Sequence, residues 1–381
     1  MNETEIVDAL IKGTVEELDI PPDLHEIAVR EYEKIASWLG TRCAAPGNIR
    51  IYPQGSFRLG TVVLPTARGD QYDIDLVFLR SISKDATSQA ELKQVAGDLL
   101  KQYADSRANE LDCPKLVERG RCWTLEYSSL RFHLDILPTI PDVDSSPEGV
   151  LLTDRDLFRW QFSNPIGYAN WFRERETKTQ YLKALTAAAS SRGCQIEEVP
   201  DYLVRTPLQR LVQILKRHRD LYFADDLDNR PPSILLTTLT AHAYRGEESI
   251  SAAIRAVLDR LPDLIEQRSG IWWVENPAHP GENFADKWNQ APERRVAFLN
   301  WSSALGRAIA QPQAGRGLDA VTASLSELFG VDQVKAAAAK LGEQTRKLGE
   351  VGGLFTSGPA LVKTASTFSK PIPLHTFHGP S

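Results

Sequence analysis

The residues of this chain whose types and spacing could do chemistry are three aspartates and a glycine–serine pair. Gly55 and Ser56, preceded by Gln54, lie in YPQGSFRLGT; Asp73 and Asp75 lie in YDIDLVFL; Asp135 lies in RFHLDILP. Alternation along a strand puts Asp73 and Asp75 on one face, with Ile74, Leu76 and Phe78 on the other. Asp135 reaches the same face if its strand is a neighbour. Carboxylates set in such apolar runs are costly unless a cation neutralises them. Magnesium takes oxygen ligands at near-octahedral geometry. Two such ions, about 4 Å apart, activate an attacking hydroxyl and stabilise a leaving pyrophosphate. The expected chemistry is therefore nucleotidyl transfer with two Mg2+ ions, Mn2+ being the natural substitute. Asp73 and Asp75 are expected to hold the ion on the triphosphate. Asp135 is expected to complete the second ion, which lowers the pKa of the incoming ribose hydroxyl. Gly55 lets the backbone approach phosphate closely, and Ser56 adds a hydroxyl beside the turn amides. A Gly-Ser turn or an Asp-x-Asp pair alone says little. Their order along the chain, with apolar strand residues around each acid, carries the assignment.

The elements that must position these groups are legible from periodicity. Residues 24–39 carry apolar side chains at helical spacing, and residues 48–52 alternate as a short strand ahead of the Gly-Ser turn. Residues 73–79 read as a strand, 88–107 as a helix, and 122–127 and 131–137 as two strands joined at Ser128-Ser129. Residues 139–156, rich in Pro, Asp, Ser and Gly, are expected to be a loop. From about residue 165 the pattern is helical, over 165–191, 207–223, 232–245, 248–266, 291–310, 318–329 and 331–348. Residues 352–381 lack periodicity and are expected to form an extended tail. The fold class is α+β: a mixed-sheet lobe over residues 1–160, a helical lobe over 161–350, the tail over 351–381, and a ligand cleft between the lobes.

The segment TPLQRLVQILKRHRDLYF carries a second signal. Leu208, Leu211, Val212, Leu215 and Tyr222 form an apolar stripe, and Gln209, Gln213, Lys216 and Asp220 share one flank of it. Lys216 is thereby a candidate for bordering the cleft and meeting a triphosphate; the alternative is a solvated surface lysine. Ser233 opens a helix after Pro231-Pro232 as a cap and is a further nucleotide-binding candidate. His133 shares the face of Asp135 and is either a polar neighbour or a metal or phosphate contact. Trp272, Trp273 and Trp288 are expected to pack the helical lobe.

Composition narrows the field. The chain has 381 residues, a formal net charge of −6 and a pI of about 5.8, which argues against gripping long nucleic acid through its phosphates. The four cysteines, Cys43, Cys113, Cys122 and Cys194, form no close pair, so a Cys-x-x-Cys zinc site is absent and free thiols are expected. No membrane-spanning run and no basic-then-apolar leader is visible, which points to a cytoplasmic protein.

QGSFRLGT, YDIDLVFL, HLDILP, LVQILKRHRD and ENPAHPGENFADKW together resemble the bacterial cyclic-oligonucleotide synthases of anti-phage defence, the CD-NTase family related to animal cyclic GMP-AMP synthase and oligoadenylate synthase. The likeness covers roughly residues 25–310. It implies a polymerase-beta-like nucleotidyltransferase lobe and the joining of nucleoside triphosphates into a cyclic di- or trinucleotide with pyrophosphate release. It further implies that Gly55 and Ser56 meet the donor phosphates, that Asp73, Asp75 and Asp135 bind metal, and that Lys216 touches phosphate. The product of such enzymes activates a separate effector. In some systems a ubiquitin-like transfer apparatus attaches the synthase tail to another protein, for which PIPLHTFHGPS is the corresponding end here. Competing assignments are a template-independent RNA-tailing enzyme, a linear oligoadenylate synthase, and a nucleotide sensor that has lost catalysis; the intact acids speak against the last.

Overall fold

The computed structural model of the chain describes residues 3–42, 49–66, 71–144, 148–155, 159–176, 205–247, 249–310 and 318–350, together with three short strands beyond them. The first half runs α1 (Glu3–Glu16), α2 (Pro22–Arg42), β1 (Ile49–Pro53), α3 (Gly55–Leu59), β2 (Tyr72–Arg80), α4 (Gln89–Ser106), β3 (Lys115–Glu118), β4 (Trp123–Glu126), β5 (Phe132–Pro141), β6 (Val150–Leu152) and β7 (Gln161–Ser163). The strands make one mixed sheet in the order β1-β2-β5-β4-β3, extended from β5 through β6 to β7. Only β2 and β5 are parallel; the other pairs are antiparallel.

One face of this sheet is built by alternation. Ile74, Leu76 and Phe78 of β2 and Phe132, Leu134 and Ile136 of β5 are buried against Tyr32, Ile35 and Leu39 of α2 and Ala96 and Leu100 of α4. Helix α4 starts on a complete capping box, with Ser88 accepting from the Glu91 amide and Glu91 accepting from the Ser88 amide. The opposite face carries Asp73, Asp75 and Asp135, so burial of the first face aims the carboxylates outward from the core.

The second half runs α5 (Pro165–Glu176), α6 (Pro207–Tyr222), α7 (Ser233–Ala243), α8 (Ile250–Arg260), β8 (Glu266–Arg268), β9 (Ile271–Trp273), β10 (Glu275–Asn276), β11 (His279–Asn283), α9 (Pro292–Ala310), α10 (Leu318–Phe329) and α11 (Val331–Glu350). Its core joins Leu211 and Leu215 of α6, Leu235 and Leu239 of α7, Ile254 and Val257 of α8, Trp301 of α9 and Phe329 of α10. Trp288 is buried there, Trp272 is packed against it, and Trp273 lies under the Arg268 guanidinium.

Several boundaries differ from the sequence expectation. Leu10, Ile11 and Val15 of α1 belong to the helical core and not to the sheet lobe, so the N-terminal segment crosses to the second lobe. The proposed loop 139–156 holds the end of β5 and all of β6, because Thr139↔Leu152 pairing extends the sheet. Two small hairpins, β8–β9 and β10–β11, occupy the stretch after α8. The region assigned as an extended tail contains β12 (Phe355–Ser357), β13 (Ala360–Val362) and β14 (Lys370–Pro371), paired antiparallel around β12. The helix expected over 165–191 is present to Glu176; its remainder, and the PIPLHTFHGPS end beyond Pro371, lie outside the described residues. Cys113 and Cys122 are free thiols, and the other two cysteines also lie outside the described residues. No helix among the described residues is long and apolar enough to cross a membrane.

Candidate active site

The strand register builds the site. Parallel pairing of β2 with β5 sets Asp75 opposite Asp135 and Asp73 opposite His133. On the other side of β2, β1 ends at Pro53 paired with Leu76, and the Gln54 amide then donates to the Asp75 carbonyl at 2.8 Å. That bond folds the chain over the carboxylates. Gly55 follows with φ of 60°, in the left-handed region, and begins α3. A Cβ at Gly55 would lie 2.4 Å from Asp75 Oδ2, so only glycine allows this approach. Ser56 sits in the first turn of α3, half-buried, and its carbonyl accepts from the Thr61 amide at 2.9 Å.

Each acid has a distinct neighbour. Asp73 Oδ1 lies 3.1 Å from His133 Nε2, an interaction that raises the imidazole pKa. Asp135 Oδ1 accepts from the Thr124 hydroxyl at 2.5 Å; Thr124 is buried and directly opposite it on β4. Asp75 is pushed up to about 7, first by burial and then by the Asp135 and Asp73 carboxylates, with His133 and Lys216 opposing. Asp75 as a residue is half-buried, and burial and the repulsion between the acids act together on its carboxyl. Among the described residues no three His, Cys, Asp or Glu side chains close on one point as a ready-made metal group. The backbones are adjacent, and each carboxylate meets a different neighbour: His133 for Asp73, Thr124 for Asp135 and Gly55 for Asp75.

Lys216 approaches from the helical lobe. It is buried, and its Nζ donates to the Thr61 carbonyl and hydroxyl, both at 3.2 Å. Burial, followed by Arg219, lowers its pKa to about 7, while Asp220, Asp75 and Asp73 act in the opposite sense. The solvated-lysine alternative is thus incorrect. Ser233 is placed differently from expectation: Pro232 occupies the cap position, and the exposed Ser233, at the first position of α7, accepts from Arg219 Nη1 at 2.9 Å. Tyr222 is half-exposed, and Phe223 takes its place in the apolar stripe.

Sequence reasoning missed Thr124 and Thr61. Thr124 could have been found by counting cross-strand partners of Asp135. Thr61 lies in an irregular segment for which no pattern exists.

Comparisons with known proteins place the chain in a family. The family model described as the cyclic GMP-AMP synthase DncV-like nucleotidyltransferase domain matches residues 49–138, which span β1 through most of β5. The chain is 30% identical over 353 residues to a c-di-GMP synthase of Roseivirga ehrenbergii, covering 91% of this chain and 90% of that protein. It is 26% identical to the cyclic dinucleotide synthase CdnG of Bradyrhizobium diazoefficiens, covering 95% and 92% of the two chains. The solved structure of the Bradyrhizobium diazoefficiens CdnG in complex with GTP superimposes with a TM-score of 0.68 at 23% identity, covering 87% of this chain and 98% of that one. With a polymerase-beta-like sheet, acids on paired strands and likeness over nearly its whole length, the chain belongs to the CD-NTase family of nucleotidyltransferases, the cyclic-oligonucleotide synthases.

Proposed function

We propose that this chain joins two nucleoside triphosphates, GTP among them, into a cyclic dinucleotide, with Asp73, Asp75 and Asp135 as metal ligands. The observation that carries this is the β2–β5 register, which sets Asp75 opposite Asp135 and against the bare Cα of Gly55. The product and base follow the named activities of the two similar synthases and the GTP bound in the CdnG structure. The donor set fits hard divalent cations such as Mg2+ or Mn2+: all three acids are oxygen ligands, and the burial and the crowding by Asp135 and Asp73 that raise the Asp75 pKa are what a cation relieves.

When bound, two such ions supply charge neutralisation on the triphosphate and acidify the acceptor hydroxyl. The chain's own residues do the rest. The turn that Gln54 opens presents the Gly55 and Ser56 amides and the Ser56 hydroxyl to the donor phosphates, and Lys216 adds a cation from the facing lobe. The acceptor oxygen forms a bond to the α-phosphorus of the donor as the bond to the β-phosphate oxygen breaks. The hydroxyl proton leaves to solvent and pyrophosphate departs. A second such step on the linear intermediate closes the ring. Thr124 and His133 hold Asp135 and Asp73 on their strands. A role in anti-phage signalling through a separate effector accompanies this activity in the family resemblance.

The test is primer-free incubation of the purified protein with each labelled NTP and magnesium, analysed by mass and by phosphatase resistance. A phosphatase-resistant dinucleotide is expected from GTP, alone or paired, and none from Asp73→Ala/Asp75→Ala. Activity only with added RNA, or product from the double variant, refutes the proposal.

A further inference from the structure

Three polar side chains on one flank of α6 each donate to a backbone carbonyl at the end of α3 or in the irregular segment that follows it. Gln209 Nε2 donates to Leu59 O at 3.0 Å, Gln213 Nε2 to Val62 O at 2.8 Å, and Lys216 Nζ to Thr61 O at 3.2 Å. Gln209 is 3% exposed and Gln213 is fully buried. Both amides are used at both ends. Gln209 Oε1 accepts from the Thr206 amide at 2.8 Å, completing the capping box of α6. Gln213 also donates to Asp19 Oδ1 at 3.0 Å, and its Oε1 accepts from Arg210 at 3.2 Å.

Capping alone does not require glutamine at position 209. A capping box needs an acceptor there, and glutamate serves equally. The amide nitrogen has a separate task, the Leu59 carbonyl in the other lobe. That carbonyl belongs to the last residue of α3, where the helix itself supplies no donor, and it and the carbonyls that follow need buried partners. The same segment closes α3 through Thr61 N to Ser56 O at 2.9 Å, and α3 begins at the glycine that touches Asp75. The line from α6 to the reacting carboxylate is therefore short and continuous: glutamine amide, Leu59–Val62 backbone, α3, Gly55, Asp75.

We propose that Gln209 and Gln213 are positioning residues for nucleotidyl transfer, clasping the Leu59–Val62 backbone to α6 and thereby fixing the Gly55–Ser56 turn against Asp75 across the lobe boundary. This rests on the function proposed above in that the turn serves the triphosphate. Neither glutamine touches substrate; both act through the turn.

The discriminating variant is Gln209→Glu. It keeps the acceptor that caps α6 but loses the donor to Leu59 O. Once protonated, the same carboxyl can cap and donate together, as the amide does. We expect kcat/KM for Gln209→Glu to fall by ~10–100-fold at pH 8, since ångström-scale misplacement costs that much. The deficit relative to wild type shrinks several-fold at pH 6. Gln209→Met, which cannot donate at any pH, keeps its deficit, and Gln213→Met behaves likewise. Amide hydrogen exchange supplies a second readout: Gly60 and Thr61 exchange at least tenfold faster in Gln209→Glu than in wild type at pH 8. Wild-type turnover and exchange in Gln209→Glu overturn the clasp, as does a loss that is equal at both pH values and tracks a fall in Tm. If the unmutated protein turns over no NTP, the function fails, and the exchange measurement alone decides the clasp.

Discussion

Replacing Gly55 by alanine isolates the contact on which the site depends. The added Cβ meets Asp75 Oδ2 at 2.4 Å, and Gly55 has φ of 60°. Carbon–oxygen contacts normally lie near 3.3 Å or beyond, so the turn and the carboxylate must separate by roughly 0.9 Å. A shift of about 1 Å at a reacting group costs ~100-fold in rate. The left-handed conformation adds about 1–2 kcal/mol of strain for a residue with a Cβ. For a chain of 381 residues that strain lowers Tm by only ~1–3 °C, because the entropy of unfolding scales with length. Activity and stability should therefore separate: Gly55→Ala folds, melts slightly early, and loses about two orders of magnitude in pyrophosphate release. Gly246→Ala is the control. Gly246 has φ of 84° with nothing within 4 Å of its ideal Cβ, so it carries the backbone strain without the collision. The measurements are a phosphatase-coupled pyrophosphate assay and a thermal melt on both variants. Gly55→Ala retaining more than about a third of wild-type turnover, or Gly246→Ala losing as much, refutes the reasoning.

Two further predictions follow from the charges. Asp75 has a folded-state pKa raised to about 7, so the folded chain binds the extra proton between about pH 4 and 7 and loses stability as pH rises through that window. Asp75→Asn removes this penalty; at pH 8 in chelator the inactive variant is expected to be more stable by ~1–2 kcal/mol, a value discounted because Asp75 is only half-buried. Magnesium should raise the Tm of the wild type and not of the variant, and an Asp75→Asn melt below wild type in chelator would count against the crowding argument. Lys216 has a folded-state pKa lowered to about 7, so the cost of charging it is absent above the unfolded value near 10.4 and complete below about 7. Lys216→Met is expected to match or exceed wild-type stability at pH 7 while KM for NTP rises ~10–100-fold, as loss of a charge-assisted bond to phosphate predicts. Unchanged KM removes Lys216 from the phosphate site.

The strands that carry the candidate site were legible because alternation is a strong physical signal. Ile74, Leu76 and Phe78 had to face a core, which left Asp73 and Asp75 on the open face, and the observed burial follows that division. Nothing in one sequence says which strands pair, so the juxtaposition of Asp75 with Asp135 was a condition and not a deduction. Helix α1 went unassigned for a related reason. Apolar spacing announces that a helix has a partner but not in which lobe, and Leu10, Ile11 and Val15 cross to the helical core. Strands β6 and β7, three residues each, are too short for a period to show against Pro, Asp and Gly; they exist because β5 offers an edge.

Helix α6 shows where charge patterning misleads. Lys216, Arg217, His218 and Arg219 are consecutive polar residues, a run that ordinarily marks a solvated face, yet all four are buried. Each is accommodated by something local sequence does not display. Arg217 donates to the Phe329 and Leu64 carbonyls, and Arg219 to the Pro231 carbonyl and Asp220. His218 packs among Tyr222, Trp301 and Phe329, and burial lowers its pKa to about 4, so it is neutral there. A helix surrounded on all sides can bury charge only where carbonyls or opposite charges meet it, and α6 lies between the sheet lobe and the helical bundle. Lys216, like Arg217, is held by neutral partners, in its case Thr61 O and Oγ1. Burial, with Arg219 second, drives it toward the uncharged form. Arrival of a triphosphate reverses that balance, because an anion beside a buried ammonium favours protonation. The charge would then develop where the phosphate binds, so that affinity for the nucleotide and protonation of Lys216 are one linked equilibrium. NTP binding should accordingly take up a proton at pH 8, measurable as a buffer-dependent binding heat that Lys216→Met abolishes.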